Sequence, residues 1–107
     1  MDLQVLQVQV ADWSRRNFGE DPDHKHRPLL GVSEEVGELC HAHLKAEQGI
    51  RTNEDHQAAK IDAVGDILIY LADYCTRNGI DLDSAIRNTW REVKHRDWKK
   101  NEVDGTS

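Results

Sequence analysis

The stretch Ile61-Asp62-Ala63-Val64-Gly65-Asp66-Ile67-Leu68-Ile69-Tyr70-Leu71-Ala72-Asp73-Tyr74-Cys75 decides the fold. Ile61, Val64, Leu68, Leu71 and Cys75 recur at steps of three and four, the signature of a helix with one apolar stripe. The helix is expected over Gln57 to Arg77, and Asn78-Gly79 is a strong stop signal. Its middle, Ile67 to Ala72, is apolar nearly all round and needs neighbours on several sides. Four short helices offer few such neighbours, so a subunit interface is expected.

A preceding helix is expected from Leu29 to Gln48, with Val32, Val36, Leu39 and Cys40 as its apolar stripe and Gly49 as its left-handed cap. Arg51 to His56 reads as a loop. Near the N-terminus Leu3, Leu6, Val10 and Trp13 keep helical spacing. Val8-Gln9-Val10 leaves a strand open there, but no turn signal interrupts the three-and-four pattern. Gly19, Asp21, Pro22, Asp23, His24, His26 and Pro28 form a polar connection. Asp81 or Asp83 caps a fourth helix through Ile86, Trp90 and Val93 to about Trp98, and residues 101–107 read as a frayed tail. The expectation is one all-α domain over residues 1–100, an antiparallel four-helix bundle that oligomerises.

Bulk properties narrow the function. A formal net charge of -6 argues against a general nucleic-acid binder, which must neutralise phosphates with Lys and Arg. An acidic chain still binds polyphosphate when metal ions screen its carboxylates. No apolar run approaches the roughly 20 residues of a membrane span, and the N-terminus lacks the plan of a signal peptide. The two cysteines, Cys40 and Cys75, fall at apolar helical positions and read as buried free thiols. A cytoplasmic protein is expected.

The chemistry lies in two acidic clusters. Glu34, Glu35 and Glu38 share one face of the second helix, opposite its apolar stripe, at spacings that bring side chains together. Like charges so placed destabilise a helix by about 0.2–0.5 kcal/mol per pair, and the nearest cation, Lys45, is two turns on. On the third helix Asp62, Asp66 and Asp73 line up at steps of four and seven. Either cluster alone reads as a solvated helix face. Together, on consecutive antiparallel helices, they can converge on a hard divalent cation that takes oxygen ligands, such as Mg²⁺ bridged to a substrate's phosphates. Glu38-x-x-His41 is half of a di-iron motif, but the third helix has no histidine to complete it. His56 and His95 read as surface residues. The cluster Arg91, Lys94, His95, Arg96, Lys99 and Lys100 either complements a helix C-terminal dipole or anchors phosphates. Trp13 and Phe18 either stack on a base or belong to the core.

Glu34-Glu35-Val36-Gly37-Glu38, a gap, then Asp62-Ala63-Val64-Gly65-Asp66 and an apolar run resembles the MazG-like all-α nucleoside triphosphate pyrophosphatases. Their pattern is E-E-x-x-E on one helix and E-x-x-D on the next. The Gly79 to Leu82 turn, the Lys94 to Trp98 tail and the Trp13 to Phe18 stretch are similar too, so the resemblance spans most of the chain. It implies an all-α homodimer or homotetramer that uses Mg²⁺, with Mn²⁺ as a substitute. It implies hydrolysis of a nucleoside triphosphate to the monophosphate and pyrophosphate, as nucleotide-pool housekeeping. Metal ligands carry over to Glu35, Glu38 and Asp66. The family's second-motif Glu falls on Ala63 here, and Asp62 is the neighbouring acid that can replace it, though it lies about 100° around the helix from position 63. Glu34 or Glu35 would orient the attacking water as general base. Lys94, Arg96, Lys99 and Trp13 would bind substrate. The competing expectation is a non-catalytic helical interaction module in which Ala63 marks lost chemistry.

Overall fold

The structure is a computed structural model that describes residues 1–20 and 25–106. Asp21, Pro22, Asp23 and His24 of the expected polar connection, and Ser107, lie outside the described residues. Among those described there are four α-helices and no strand: α1 (Leu3–Phe18), α2 (Arg27–Gln48), α3 (His56–Arg77) and α4 (Leu82–Val93).

Each helix begins and ends where local chemistry directs. The Asp2 carboxylate accepts from the backbone N–H of Gln4 and Val5, at 2.8 and 3.3 Å, which draws Val8-Gln9-Val10 into α1 rather than a strand. Pro28 sits in the first turn of α2, where its missing N–H costs nothing. Gly49 ends α2 with φ 65°, a left-handed cap that a glycine adopts freely. Asp55 caps α3 through the Ala58 N–H at 3.0 Å, and Asp81 caps α4 through the Ser84 N–H at 3.1 Å. α4 stops at Val93, short of the expected Trp98. There the Asp97 carboxylate takes the N–H groups of Lys99 and Lys100, a local pattern that competes with helix. Residues 101–106 fold back, with the Asp97 N–H donating to the Gly105 carbonyl at 2.7 Å and Gly105 buried.

α2 and α3 form a hairpin packed along its length. α1 leans on α3, and α4 touches α1 and α3 more lightly. Gln7 ties these pieces together. Its amide donates to the Thr76 hydroxyl and the Ile80 carbonyl, and its carbonyl accepts from the Leu82 N–H, so α1 grips the α3–α4 turn. The core beside it consists of Val10, Ala72, Cys75 and Leu82, with Leu3 and Leu6 against them.

The helices do not close into a four-helix bundle within one chain. The radius of gyration is 17.3 Å, whereas a compact chain of this length is expected near about 13 Å. Large apolar side chains on both arms of the hairpin stay in the open: Leu29, Val36 and Leu44 on α2, and Ile61, Val64 and Leu68 on α3. Cys40 is exposed, against the expectation of two buried thiols; Cys75 is buried as expected.

Candidate metal and nucleotide site

The α2–α3 seam keeps half of the expected α2 stripe: Val32 and Leu39 are half-buried, while Val36 and Cys40 are exposed. The residues fully buried there are the alanines Ala42 and Ala63, at 3% and 2% exposure. Two small side chains let the helices approach closely, and the carboxylates flank them. The acidic faces therefore meet. Glu35, Glu38, Asp62 and Asp66 all line one open cavity of about 390 Å³, together with Ala42, Ala63 and Ala59.

Electrostatics express the convergence. The Glu35 carboxyl is pushed above its ordinary value by partial loss of hydration, then by Asp66 across the seam, then by Glu34, Glu38 and Asp62. Four like charges act on one carboxylate with no cation among the residues lining the cavity. Oxygen-rich, anionic and open, such a group fits a hard divalent ion, which would relieve the repulsion. Among the described residues no three His, Cys, Asp or Glu side chains already stand close enough together to hold a metal. Coordination therefore asks these side chains to rotate inward.

The far end of the cavity is lined by His41, Glu54, Asp55 and His56. The sequence marked His56 as a surface residue and did not single out Glu54 or Asp55 for the site. His56 is oriented by its Nε2, 3.0 Å from the Ile50 carbonyl oxygen. The signal for this placement was the Asp55 cap, since a helix that starts at His56 sets its first turn beside the C-terminal part of α2.

A second cavity, of about 310 Å³, has Glu34 in its lining and a more apolar wall that includes Phe18, Pro28, Leu30 and Tyr70. Gly31 shapes it. A Cβ on Gly31 would collide with the Tyr70 ring, 2.6 Å from Cζ, so the ring can lie over α2 because position 31 carries no side chain. Tyr70 sits between both acidic groups. Burial and then Glu34, Glu35, Asp66 and Asp73 push its phenol upward.

Asp73 does not continue the metal-facing stripe. It is 6% exposed and accepts a hydrogen bond from the Arg77 Nε at 3.0 Å. The Arg77 Nη2 donates to the Ser14 hydroxyl at 2.7 Å and to the Gly19 carbonyl at 3.0 Å. This buried network joins α1 to α3 across 63 residues of sequence; the Asp73–Arg77 spacing is legible within one helix, whereas the Ser14 and Gly19 partners are not.

The remaining expected substrate contacts lie elsewhere in the chain. Trp13 is edge-on to Phe18, with ring centroids 5.7 Å apart, and reaches the second cavity through that ring. Lys94, Arg96 and Lys99 do not line either cavity. Arg96 lines a separate hollow with Arg91, His95 and Thr106. No family model, no curated protein and no solved structure matches this chain.

Proposed function

We propose that the protein is a Mg²⁺-dependent nucleoside triphosphate pyrophosphohydrolase of the MazG-like kind, which releases a nucleoside monophosphate and pyrophosphate. The observation that carries the reading is the meeting of the E-E-x-x-E face of α2 with Asp62 and Asp66 of α3 around one cavity, where Glu35 feels both helices. Glu35, Glu38, Asp62 and Asp66 would hold the metal. A bound Mg²⁺ supplies charge neutralisation on the triphosphate and acidifies a coordinated water. Glu34 and Glu35 are the candidates to accept the proton of the attacking water, and a carboxylate raised above its usual range is the better base near neutral pH. The nucleoside would enter the second cavity against Phe18 and Tyr70, whose lining includes Glu34, the neighbour in sequence of Glu35. With both ends seated, the phosphate chain spans the carboxylates.

The working form in this reading is a homodimer or homotetramer. Exposed Val36, Leu44, Ile61, Val64 and Leu68 flank the hairpin, and obligate interfaces resemble a core cut in half. The basic cluster of Lys94, Arg96 and Lys99 would serve the phosphates in that assembly.

One observation favours a second reading, a non-catalytic helical module. Ala63 stands at the position where the family carries a ligand Glu, and it is packed into the seam. Pyrophosphate release from a panel of nucleoside triphosphates, with and without Mg²⁺, separates the two. The enzymatic reading expects metal-dependent release that Glu38→Gln abolishes. No release from any nucleotide, by protein that is folded and assembled, refutes it.

A further inference from the structure

We propose that α4 is an arm exchanged between two copies of the chain, its Ile86–Trp90–Val93 stripe docking antiparallel on the Ile61–Val64–Leu68 face of α3 in a second copy. The inference rests on the assembly proposed above and names the element that makes it.

Within one chain the apolar face of α4 is left bare. Leu82 is buried in the core beside Cys75, but every residue from Ser84 to Arg96 is exposed. A helix of 12 residues draws little stability from its own backbone and depends on covering its apolar face. That face is well defined: Ile86, Trp90 and Val93 recur at steps of four and three, and Trp90 is 60% exposed.

α3 carries a matching gap. Ile61, Val64, Leu68, Ala72 and Cys75 form one stripe at helical spacing. Val10 and Leu6 of α1 pack on its Ala72–Cys75 end. Exposure along the stripe falls from 65% at Ile61 through 50% at Val64 and 40% at Leu68 to 0% at Ala72. The α1–α3 interface thus covers half of a continuous face, and the other half lacks a helix. The two bare stripes have equal length: Ile61 to Leu68 and Ile86 to Val93 both advance seven residues, about 10 Å of helix. The α4 of the same chain does not fill the gap, because it starts at the opposite end of α3 and leaves its own stripe exposed.

Charge sets the orientation. On α4, Arg87, Arg91 and Lys94 each follow a stripe residue by one position, about 100° to one side of it. On α3, Asp62 follows Ile61 in the same way, and Asp66 stands one turn on. Two helices packed face to face, with charged rows displaced in the same rotational sense, bring those rows to one side only when they run antiparallel. Cations then stand on the side of carboxylates, which favours this pairing over the parallel one. The acidic cavity, whose lining includes no Lys or Arg, gains cations from the second copy.

A mixing experiment separates this arm from other ways of covering the two faces. Leu68→Glu blocks the receiving face and Trp90→Glu blocks the arm; both side chains are exposed in the single chain, so helix content by circular dichroism should stay at the wild-type level. Each variant alone is expected to dissociate at least about thirtyfold more readily than wild type in sedimentation. Mixed in equal amounts they should form a heterodimer, because one copy still offers an intact arm and the other an intact face. Arg91→Glu should weaken assembly and Arg91→Lys should retain it. Trp90→Glu that assembles like wild type overturns the arm while keeping the assembly, and points to hairpin against hairpin. A mixture that stays monomeric also overturns it. A wild-type monomer at micromolar concentration overturns both the arm and the assembly, and leaves the α4 face to a different protein or a lipid surface.

Discussion

Placing a carboxylate where the proposed family carries one, Ala63→Glu, tests the site most directly. Ala63 is 2% exposed, lies in the α2–α3 seam and contributes to the wall of the acidic cavity. Without metal the substitution is unfavourable on two counts. A larger side chain in a packed seam costs about 1–3 kcal/mol. Its charge also joins the four carboxylates that already raise Glu35, so repulsion adds to the steric cost. For a domain of this size about 1 kcal/mol corresponds to roughly 4–8 °C in Tm. The metal-free variant should therefore melt about 5–20 °C below wild type. Mg²⁺ reverses the sign of the charge effect, because a fifth oxygen-bearing side chain then becomes a ligand. Metal at about 100 times its dissociation constant contributes about 2.7 kcal/mol, enough to close most of the gap if the variant binds it more tightly than wild type. The assay is a melting series over Mg²⁺ concentration, run beside the isosteric Ala63→Gln. The expected outcome is a Tm deficit that shrinks with Mg²⁺ for Glu and persists for Gln. A deficit equal at every Mg²⁺ concentration, or an equal Mg²⁺ response from Gln, would falsify the idea that position 63 faces a metal.

The proposed replacement of that carboxylate by Asp62 is tested with single amides: if the protein is the proposed hydrolase, Asp62→Asn and Asp66→Asn should each lose most turnover with the fold intact. If Asp62 merely complements the helix dipole, worth about 0.3–1 kcal/mol, turnover in Asp62→Asn stays near wild type and the substitution idea fails. Glu35 sets a pH dependence. Its folded-state value is raised, so in metal-free protein its contribution to stability is full at acid pH and is lost as pH rises through the carboxylate range. Glu35→Gln should then gain in Tm over wild type as pH climbs through that window without metal, and lose Mg²⁺ stabilisation; a Tm difference independent of pH argues against the cluster. Sedimentation should show an assembly at micromolar concentration, and Leu68→Glu, on the exposed side of α3, should dissociate it; a wild-type monomer would sink the oligomer reading.

The four helices and most of their ends are legible in the sequence because the signals are local. Gly49, Asn78-Gly79 and Asp81 act on backbone groups within a few residues, and they mark the observed caps. The two acidic motifs are legible for the same reason, since a spacing of three or four places carboxylates on one face. That these faces meet depends on which side of each helix turns inward, and the sequence did not determine that. Of the expected α2 stripe, Val32 and Leu39 are half-buried while Val36 and Cys40 are exposed, and Ala42 and Ala63 form the tightest part of the seam, because close approach of two helices depends on side-chain size on both of them at once. α4 ends at Val93, and beyond it the Asp97 carboxylate accepts from the Lys99 and Lys100 N–H groups in a local turn that helical periodicity does not mark.

Long-range contacts belong to the tertiary structure alone. Asp73 continues the stripe of Asp62 and Asp66 in sequence but lies two turns on, too far to share a metal with them, which left a second ion or a hydrogen bond open. Arg77 one turn on decides for the hydrogen bond, and Ser14 on α1 completes the buried network around it. The same holds for Lys94, Arg96 and Lys99, which the sequence offered as phosphate contacts and the single chain keeps away from the acidic cavity. Periodicity states which residues travel together on one surface of a helix. The partner that surface meets is set by the packing of the other helices, through contacts whose strength depends on burial and on groups dozens of residues away.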